Sequence, residues 1–472
     1  MDDENRVQVA TCSVAELFSA TLSADAECAP KGLLCSEQNI IVGRLTIPEY
    51  QRPYRWKAHQ LNNLLSDIRA HRERTPHLPY YLGSLILHQS EEYLNIIDGQ
   101  QRITTLALLA LVLDEYSLQA GALKIEHPIS QMNVRKNLVW FKEKGAVWLR
   151  DIISFDQLQF SLVVTQSEDD AYRFFETQNT GGVRLSGPDI IKAHHLRAVD
   201  SSYLADYARK WEALGDLNMS VLAILKGRYW QRVRWRDLPR HNQKNQLRDT
   251  VVHELATQTG HGEDLAYTRI QRTVTPSGAF SMSGAQHGYD MRQPLNAGIN
   301  TIHFIEYFQS LYQRYWLAPE SVHVDGYGEF TVWLKTLKGC GYLQSLYESC
   351  LLLYISQFGE AQLDIAAKKL FRVVYSRRVS NQKAVRENSV PSFVEKYPVL
   401  DWIAMSFTPE QCFSYFDAFE LTVDPSNLKE NNIKRRYMDS VNEFFGLALA
   451  DDVYEYETQF ALALSRKIGA AV

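Results

Sequence analysis

Several features that would point to familiar classes of protein are missing from this sequence. Six cysteines, at positions 12, 28, 35, 340, 350 and 412, form no CxxC pair and no Cys/His cluster at zinc-ligand spacing, which excludes a zinc-ribbon or disulfide scaffold and leaves reduced, mostly buried thiols. The longest apolar run, Ile103 to Leu113, falls well short of the roughly 20 residues of a membrane helix. The opening residues Met1-Asp2-Asp3-Glu4-Asn5 are acidic and lack the apolar segment of a secretory signal, so a cytoplasmic protein with no membrane partner is expected. With 24 glycines and 15 prolines among 472 residues, the chain is neither fibrous nor disordered in composition. Fifty Lys and Arg stand against 55 Asp and Glu, a formal net charge of -5, so any contact with nucleic acid has to use local basic patches. There is no internal repeat and no low-complexity tract.

What is present is a length that suits two domains. Residues 13–25 read as a helix and Asn39 to Ile47 as a strand ended by Pro48. Leu61, Leu64, Leu65 and Ile68 recur at helical spacing, giving an amphipathic helix over 57–72. Tyr80 to His88 and Tyr93 to Ile97 read as two strands joined by the polar turn 89–92, followed by a glycine-bearing loop and a helix from Ile103 to Tyr116. A short strand at Phe160 to Thr165, a helix at 168–177 and a loop at 179–185 come next. Ser186 then caps a helix, with Asp189 closing a capping box and Pro188 in the first turn. Beyond residue 200 the periodicity is mainly helical, broken by a Gly/Ser/Thr/Pro-rich stretch at Thr273 to Gly288 that reads as a mobile loop.

Three constellations carry chemistry. Asp98-Gly99-Gln100-Gln101-Arg102 places a glycine and an arginine at a helix start, where unpaired N–H groups and the helix dipole favour phosphate; Asp98 can hold Mg²⁺ or polarise a water. Gln51-Arg52-Pro53-Tyr54-Arg55-Trp56 sets two arginines and two aromatics at a strand exit, where the arginines can clamp phosphates and the rings either stack on a base or pack in the core. Asn179 to Lys192 combines the Gly181-Gly182 loop with a lysine in the following helix. Each alone is equally explained as an ordinary turn or loop–helix joint.

Together, IPEYQRPYRW at 47–56, YYLGSLIL at 80–87, NIIDGQQRITTLALL at 95–109 and FFETQNTGGVRLSGPDIIKA at 174–193 resemble, in order and spacing, the N-terminal domain family of GmrSD-type restriction endonucleases. The resemblance covers roughly residues 35–200. It implies a ParB/sulfiredoxin-like α/β (α+β) domain, preceded by a helical extension at 1–34 and followed by a mostly α-helical domain over 201–472. It further implies NTP (GTP, ATP or CTP) with Mg²⁺, slow hydrolysis, and restriction of modified or phage DNA. The site so read takes Asp98, Gln101 and Arg102 as catalytic, Asp98 as the metal ligand, and Gln51, Arg52, Tyr54, Arg55, Gly99, Gln100, Thr104, Asn179 and Lys192 as nucleotide-binding. In complete relatives the resemblance implies a fused HNH nuclease, but no His-x-x-Pro element with downstream Asn and His is found in the last 200 residues. A separate nuclease subunit is therefore expected as partner, with homo-oligomerisation open.

Two basic segments offer a surface for DNA. Lys226 to Arg248 interleaves basic residues with Tyr229, Trp230 and Trp235, and Arg228, Arg232, Arg234, Arg236 and Lys244 are the expected DNA contacts. Lys368 to Arg386 carries no Asp or Glu. Two other readings stay open: a nucleotide-responsive regulator without turnover, and a metal-dependent nuclease in which Glu49 and Asp98 hold the metal.

Overall fold

The computed structural model describes residues 7–22, 33–34, 40–49, 51–115, 120–167, 171, 186–269, 272–274, 277–282, 286–382, 385–429 and 432–469. The chain forms two compact units, Met1–Leu185 and Ser186–Val472. The first carries a mixed sheet and the second is mostly helical.

The first unit begins with β1 (Gln8–Ser13), which runs into α1 (Val14–Thr21) through a capping box between Ser13 and Glu16. Two short strands, β2 (Leu33–Leu34) and β3 (Ile40–Ile41), pair with each other, and β4 (Arg44–Thr46) leads to α2 (Ala58–Arg74). The hairpin β5 (Tyr80–Ser90) and β6 (Tyr93–Asp98) follows, then α3 (Gln100–Val112), α4 (Pro128–Lys144), α5 (Ala146–Arg150) and β7 (Leu158–Thr165). The sheet order is β1-β7-β5-β6-β4. Its β1/β7 and β5/β6 pairs are antiparallel, and its β7/β5 and β6/β4 pairs are parallel.

Several elements differ from the sequence reading. Gln8–Ser13, expected outside the sheet, is an edge strand whose inward residues are the small Ala10 and Cys12, too weak a signal to stand out. The strand expected over Asn39 to Ile47 divides into β3 and β4, only the latter joining the main sheet. The β5/β6 turn is two residues long, because Ser90 pairs with Tyr93 and Glu91 takes a left-handed conformation, φ 49°. Helix α3 starts at Gln100 rather than Ile103, so the polar motif residues are its first turn. Ile103 to Ala110 are all buried where α3 packs on α4. That packing fixes the direction in which the turn before α3 faces.

In the second unit Ser186 caps the helix Gly187–Arg197 in a capping box with Asp189 and with Pro188 in the first turn, as expected. The helix Gly341–Phe358 is the spine of the unit, buried over most of its length and packed by Asn218–Tyr229, Leu363–Val374 and Val399–Ala404. The stretch from Thr273 to Gly288, expected to be a loop, contains ladder strands: Arg272–Val274 pairs with Phe280–Met282, and Tyr267–Arg269 with Gln286–Gly288. Their threonines and short spans hide the pairing in a Gly/Ser-rich composition. Among the described residues no helix is long and apolar enough to cross a membrane, and the described cysteines, 12, 340, 350 and 412, are buried free thiols.

Candidate functional site

The turn between β6 and α3 is built around Gly99, which sits at φ 96°, ψ 1°, a left-handed conformation that costs other residues about 1–2 kcal/mol. A Cβ there would also lie 2.1 Å from Leu85 Cδ2. The glycine thus answers both the backbone and the packing of the turn on β5. Gly99 has no side chain with which to cap α3, so among the described residues its first N–H groups carry the partial positive charge of the helix end with no acceptor from a capping residue.

The segment 51–55 is stitched to this turn. Gln51 Nε2 donates to the Ile97 carbonyl at 2.9 Å. Gln101 accepts the Arg55 N–H at 2.8 Å and donates to the Pro53 carbonyl at 3.2 Å. Tyr54, between them, is 0% exposed. Its hydroxyl pairs with Thr105 Oγ1 at 2.8 Å and accepts from Asn137 at 3.0 Å, while its backbone is held by Ser130 and Asn133. Burial raises the Tyr54 pKa against those two hydrogen bonds. With both faces enclosed, the Tyr54 ring has no surface to offer a base, and its expected nucleotide contact is corrected to a core anchor. Its neighbours on the same segment differ: Arg52 is half-buried and Arg55 exposed, and neither has a side-chain ion pair among the described residues.

Arg102 is turned toward β5. Its Nη1 donates to the Leu82 carbonyl at 2.6 Å and its Nη2 to the Ser84 carbonyl at 2.8 Å, where β5 slips its register against β7 between Tyr81 and Ser84. Gly83, at φ 98°, makes room, since a Cβ there would stand 2.4 Å from Arg102 Nη1. The same Nη2 reaches Asp98 Oδ2 at 3.3 Å, one helical turn away. Gln101 and Arg102 are therefore engaged by the protein's own backbone, and their geometry is that of positioning residues. Gln100 Oε1 and Thr104 Oγ1 are different. These oxygens, on residues 6% and 0% exposed and one turn apart on α3, have no hydrogen-bond partner among the described residues, whereas Thr105 makes the ordinary bond back to the Gln101 carbonyl at 2.8 Å.

Of the remaining expected residues, Asn179, with Gly181, Gly182 and Leu185, lies outside the described residues. Lys192 belongs to the second unit, is 1% exposed and is ion-paired with Glu212 at 2.6 Å, so its charge is already neutralised. Among the described residues no group of three or more His, Cys, Asp or Glu gathers to hold a metal. Asp98, held by Arg102, is among the described residues the one carboxylate at this turn that could serve Mg²⁺, which keeps waters and phosphates for the rest of its shell.

In the second unit the expected DNA contacts divide. Arg228 is buried, with Nε on Glu254 at 2.7 Å and Nη1 on the Met291 and Gln293 carbonyls. Arg236 completes the pair on Glu254 at 2.6 Å and stacks on Tyr229 at 3.8 Å. Burial alone would raise the Glu254 pKa, but hydrogen bonds from Arg236 and Arg228 hold it below the usual range. These two arginines are a structural clamp, which corrects their assignment to DNA. Arg232, Arg234 and Lys244 remain exposed without ion pairs among the described residues. The second basic segment is largely internal, with Lys369, Arg372 and Arg378 buried and Lys369 paired to Asp417. Side chains that pack along a helix interior look basic in sequence yet present no face to solvent.

Comparison with known families bears on both units. Residues 31–196 match the model of the GmrSD restriction endonuclease, N-terminal domain, and residues 204–433 match a family of unknown function (DUF7834). Neither description names an HNH nuclease. No curated protein matches the chain. Residues 31–196, which hold the uncapped α3 turn and the segment stitched to it, thus belong to the GmrSD restriction endonuclease N-terminal domain family.

Proposed function

We propose that the first unit is a ParB-like nucleotide-binding domain. It would take an NTP, GTP, ATP or CTP, with Mg²⁺, and license restriction of modified or phage DNA by a separate HNH-type nuclease subunit. The observation that carries this reading is the glycine-opened start of α3, to which the segment bearing Arg52 and Arg55 is hydrogen-bonded through Gln51 and Gln101, neither arginine having an ion pair among the described residues. An anion at such a turn gains from the N–H groups, the dipole and bidentate arginine together.

In this reading Arg52 and Arg55 bind phosphate oxygens, Gly99 allows close approach, and Gln51 and Gln101 hold the arginine segment in place. Arg102 fixes Asp98 from the next turn, and Asp98 orients the attacking water or holds the metal. When bound, Mg²⁺ supplies charge neutralisation at the phosphates. Exposed Arg232, Arg234 and Lys244 supply the contact with DNA.

The engagement of Gln101 and Arg102 by backbone groups favours one rival, a regulator that binds nucleotide without turnover. Phosphate release separates the two. Wild type is expected to release phosphate slowly in Mg²⁺, and Asp98→Asn to bind nucleotide while releasing none. Binding without release in the wild type selects the regulator, and no binding at all rejects both.

A further inference from the structure

Three of the most exposed large apolar side chains of the second unit, Val233 at 94%, Phe407 at 89% and Met405 at 72%, lie on two segments that touch. The Arg232 N–H donates to Asp401 Oδ2 at 2.8 Å, which sets the loop after the helix Asn218–Tyr229 against the helix Val399–Ala404. Met405 and Phe407 follow that helix directly.

Phe407 stands immediately before Thr408, the N-cap of the helix Pro409–Asp417. A hydrophobic residue there ordinarily staples onto the fourth helical residue, here Cys412, which is fully buried without it. Phe407 is held outward instead, its N–H donating to Gln411 Oε1 at 2.8 Å. Trp402 and Tyr415, on the helices that precede and follow Phe407 in the chain, lie parallel, ring centres 6.1 Å apart and planes within 7°, with Tyr415 exposed.

The charge around this patch is mixed: Glu410, three residues after Phe407, is an exposed carboxylate that accepts from Gln362, and the cations lie on the other segment. Arg232 and Arg234 flank Val233, exposed and without an acid partner among the described residues. The one carboxylate inside the contact, Asp401, is taken on its other oxygen by Arg292 at 2.7 Å. Exposed aromatic and apolar tips beside unpaired guanidinium groups are the elements with which proteins hold unstacked bases on a phosphate backbone.

We propose that this patch binds an unstacked nucleobase, Phe407 with Met405 and the Trp402–Tyr415 pair receiving the base and Arg232 and Arg234 the adjoining phosphates. The inference rests on the proposal that the chain acts on DNA and names the form of DNA the second unit grips. An unstacked base is supplied by a single strand or by a base displaced from a duplex, and the two sources are separable.

The test uses the full chain and a fluorescent oligothymidylate of about 16 nucleotides, beside a matched duplex and a duplex carrying one mismatch. Phe407 is exposed, so Phe407→Ala is expected to fold as wild type and to bind the single strand about five- to 150-fold more weakly. Phe407→Trp is expected to restore binding. Arg232→Gln with Arg234→Gln is expected to lower the slope of log affinity against log salt by about 1.4. Tighter binding of the mismatched than the matched duplex assigns the site to displaced bases, and equal binding assigns it to single strands. Unchanged affinity in Phe407→Ala overturns the inference, as does a change of oligomeric state with DNA affinity intact, which would make the patch a protein interface. Nucleotide binding is read on the same preparations. Wild type that binds nucleotide but no oligonucleotide rejects the base site alone, and wild type that binds the oligonucleotide but no nucleotide rejects the proposed function alone.

Discussion

Single residues carry the α3 turn, and they separate into those that shape it and those it leaves free. Gly99 shapes it twice over, through its left-handed φ and through the approach of Leu85. Gly99→Ala is therefore expected to destabilise the first unit by about 2–5 kcal/mol, the sum of backbone strain and overpacking, measured by urea unfolding. A change below about 0.5 kcal/mol, the range of an ordinary surface substitution, would contradict that account. The motif residues were visible in sequence, but their division of labour was not. Nothing in the string DGQQR distinguishes Gln101, bound at both ends of its amide, from Gln100, whose oxygen has no partner among the described residues. Tyr54 and Lys192 misled for the same reason: polar atoms in a recognisable motif are satisfied by partners about 80 and 20 residues away, Asn137 and Glu212, and only folding reveals such partners.

At the level of elements, strongly patterned segments were legible and weakly patterned ones were not. The hairpin, α2 and the capped helix at Ser186 follow from alternation, helical spacing and cap chemistry. The edge strand β1 and the ladders near residues 267–288 have short spans and small or polar side chains, so their pairing depends on neighbours distant in sequence. The basic run from Lys226 to Arg248 illustrates the limit for function, because a helix end and a loop share one charge pattern while Arg228 points inward to Glu254. Truncating one partner of that buried pair leaves the other charge unpaired. Glu254→Ala is expected to cost about 3–5 kcal/mol while leaving single-strand affinity per folded molecule unchanged. Lost DNA affinity in a fully folded Glu254→Ala protein would show that the clamp reaches the nucleic acid after all.

At the scale of the whole molecule, a net charge of -5 keeps general attraction to DNA low, so binding must come from the few exposed cations and respond to salt accordingly. The stability of the second unit also responds to pH through His195. This fully buried ring lies against the Leu255 carbonyl at 2.6 Å and accepts the Gly298 N–H at 3.1 Å, and burial lowers its pKa from 6.5 to about 4. Between those values the unfolded chain takes up a proton that the folded ring refuses. Stability is thus unaffected by His195 above pH 6.5 and falls as pH drops toward 4, by about 3 kcal/mol. Denaturant unfolding at a series of pH values is expected to show this loss in the wild type and to lack that component in His195→Gln. An equal acid slope in both would reject it.

Nucleotide binding at the start of α3 decides most of the account. Calorimetric titration of ATP, GTP and CTP in Mg²⁺ into wild type and into Arg52→Gln, whose side chain has no folded-state ion pair to lose among the described residues, tests it directly. At least one triphosphate is expected to bind the wild type, with affinity reduced roughly tenfold or more in the variant, as for loss of a charge-assisted contact. Equal affinity in the two proteins, or no heat with any of the three, would contradict it.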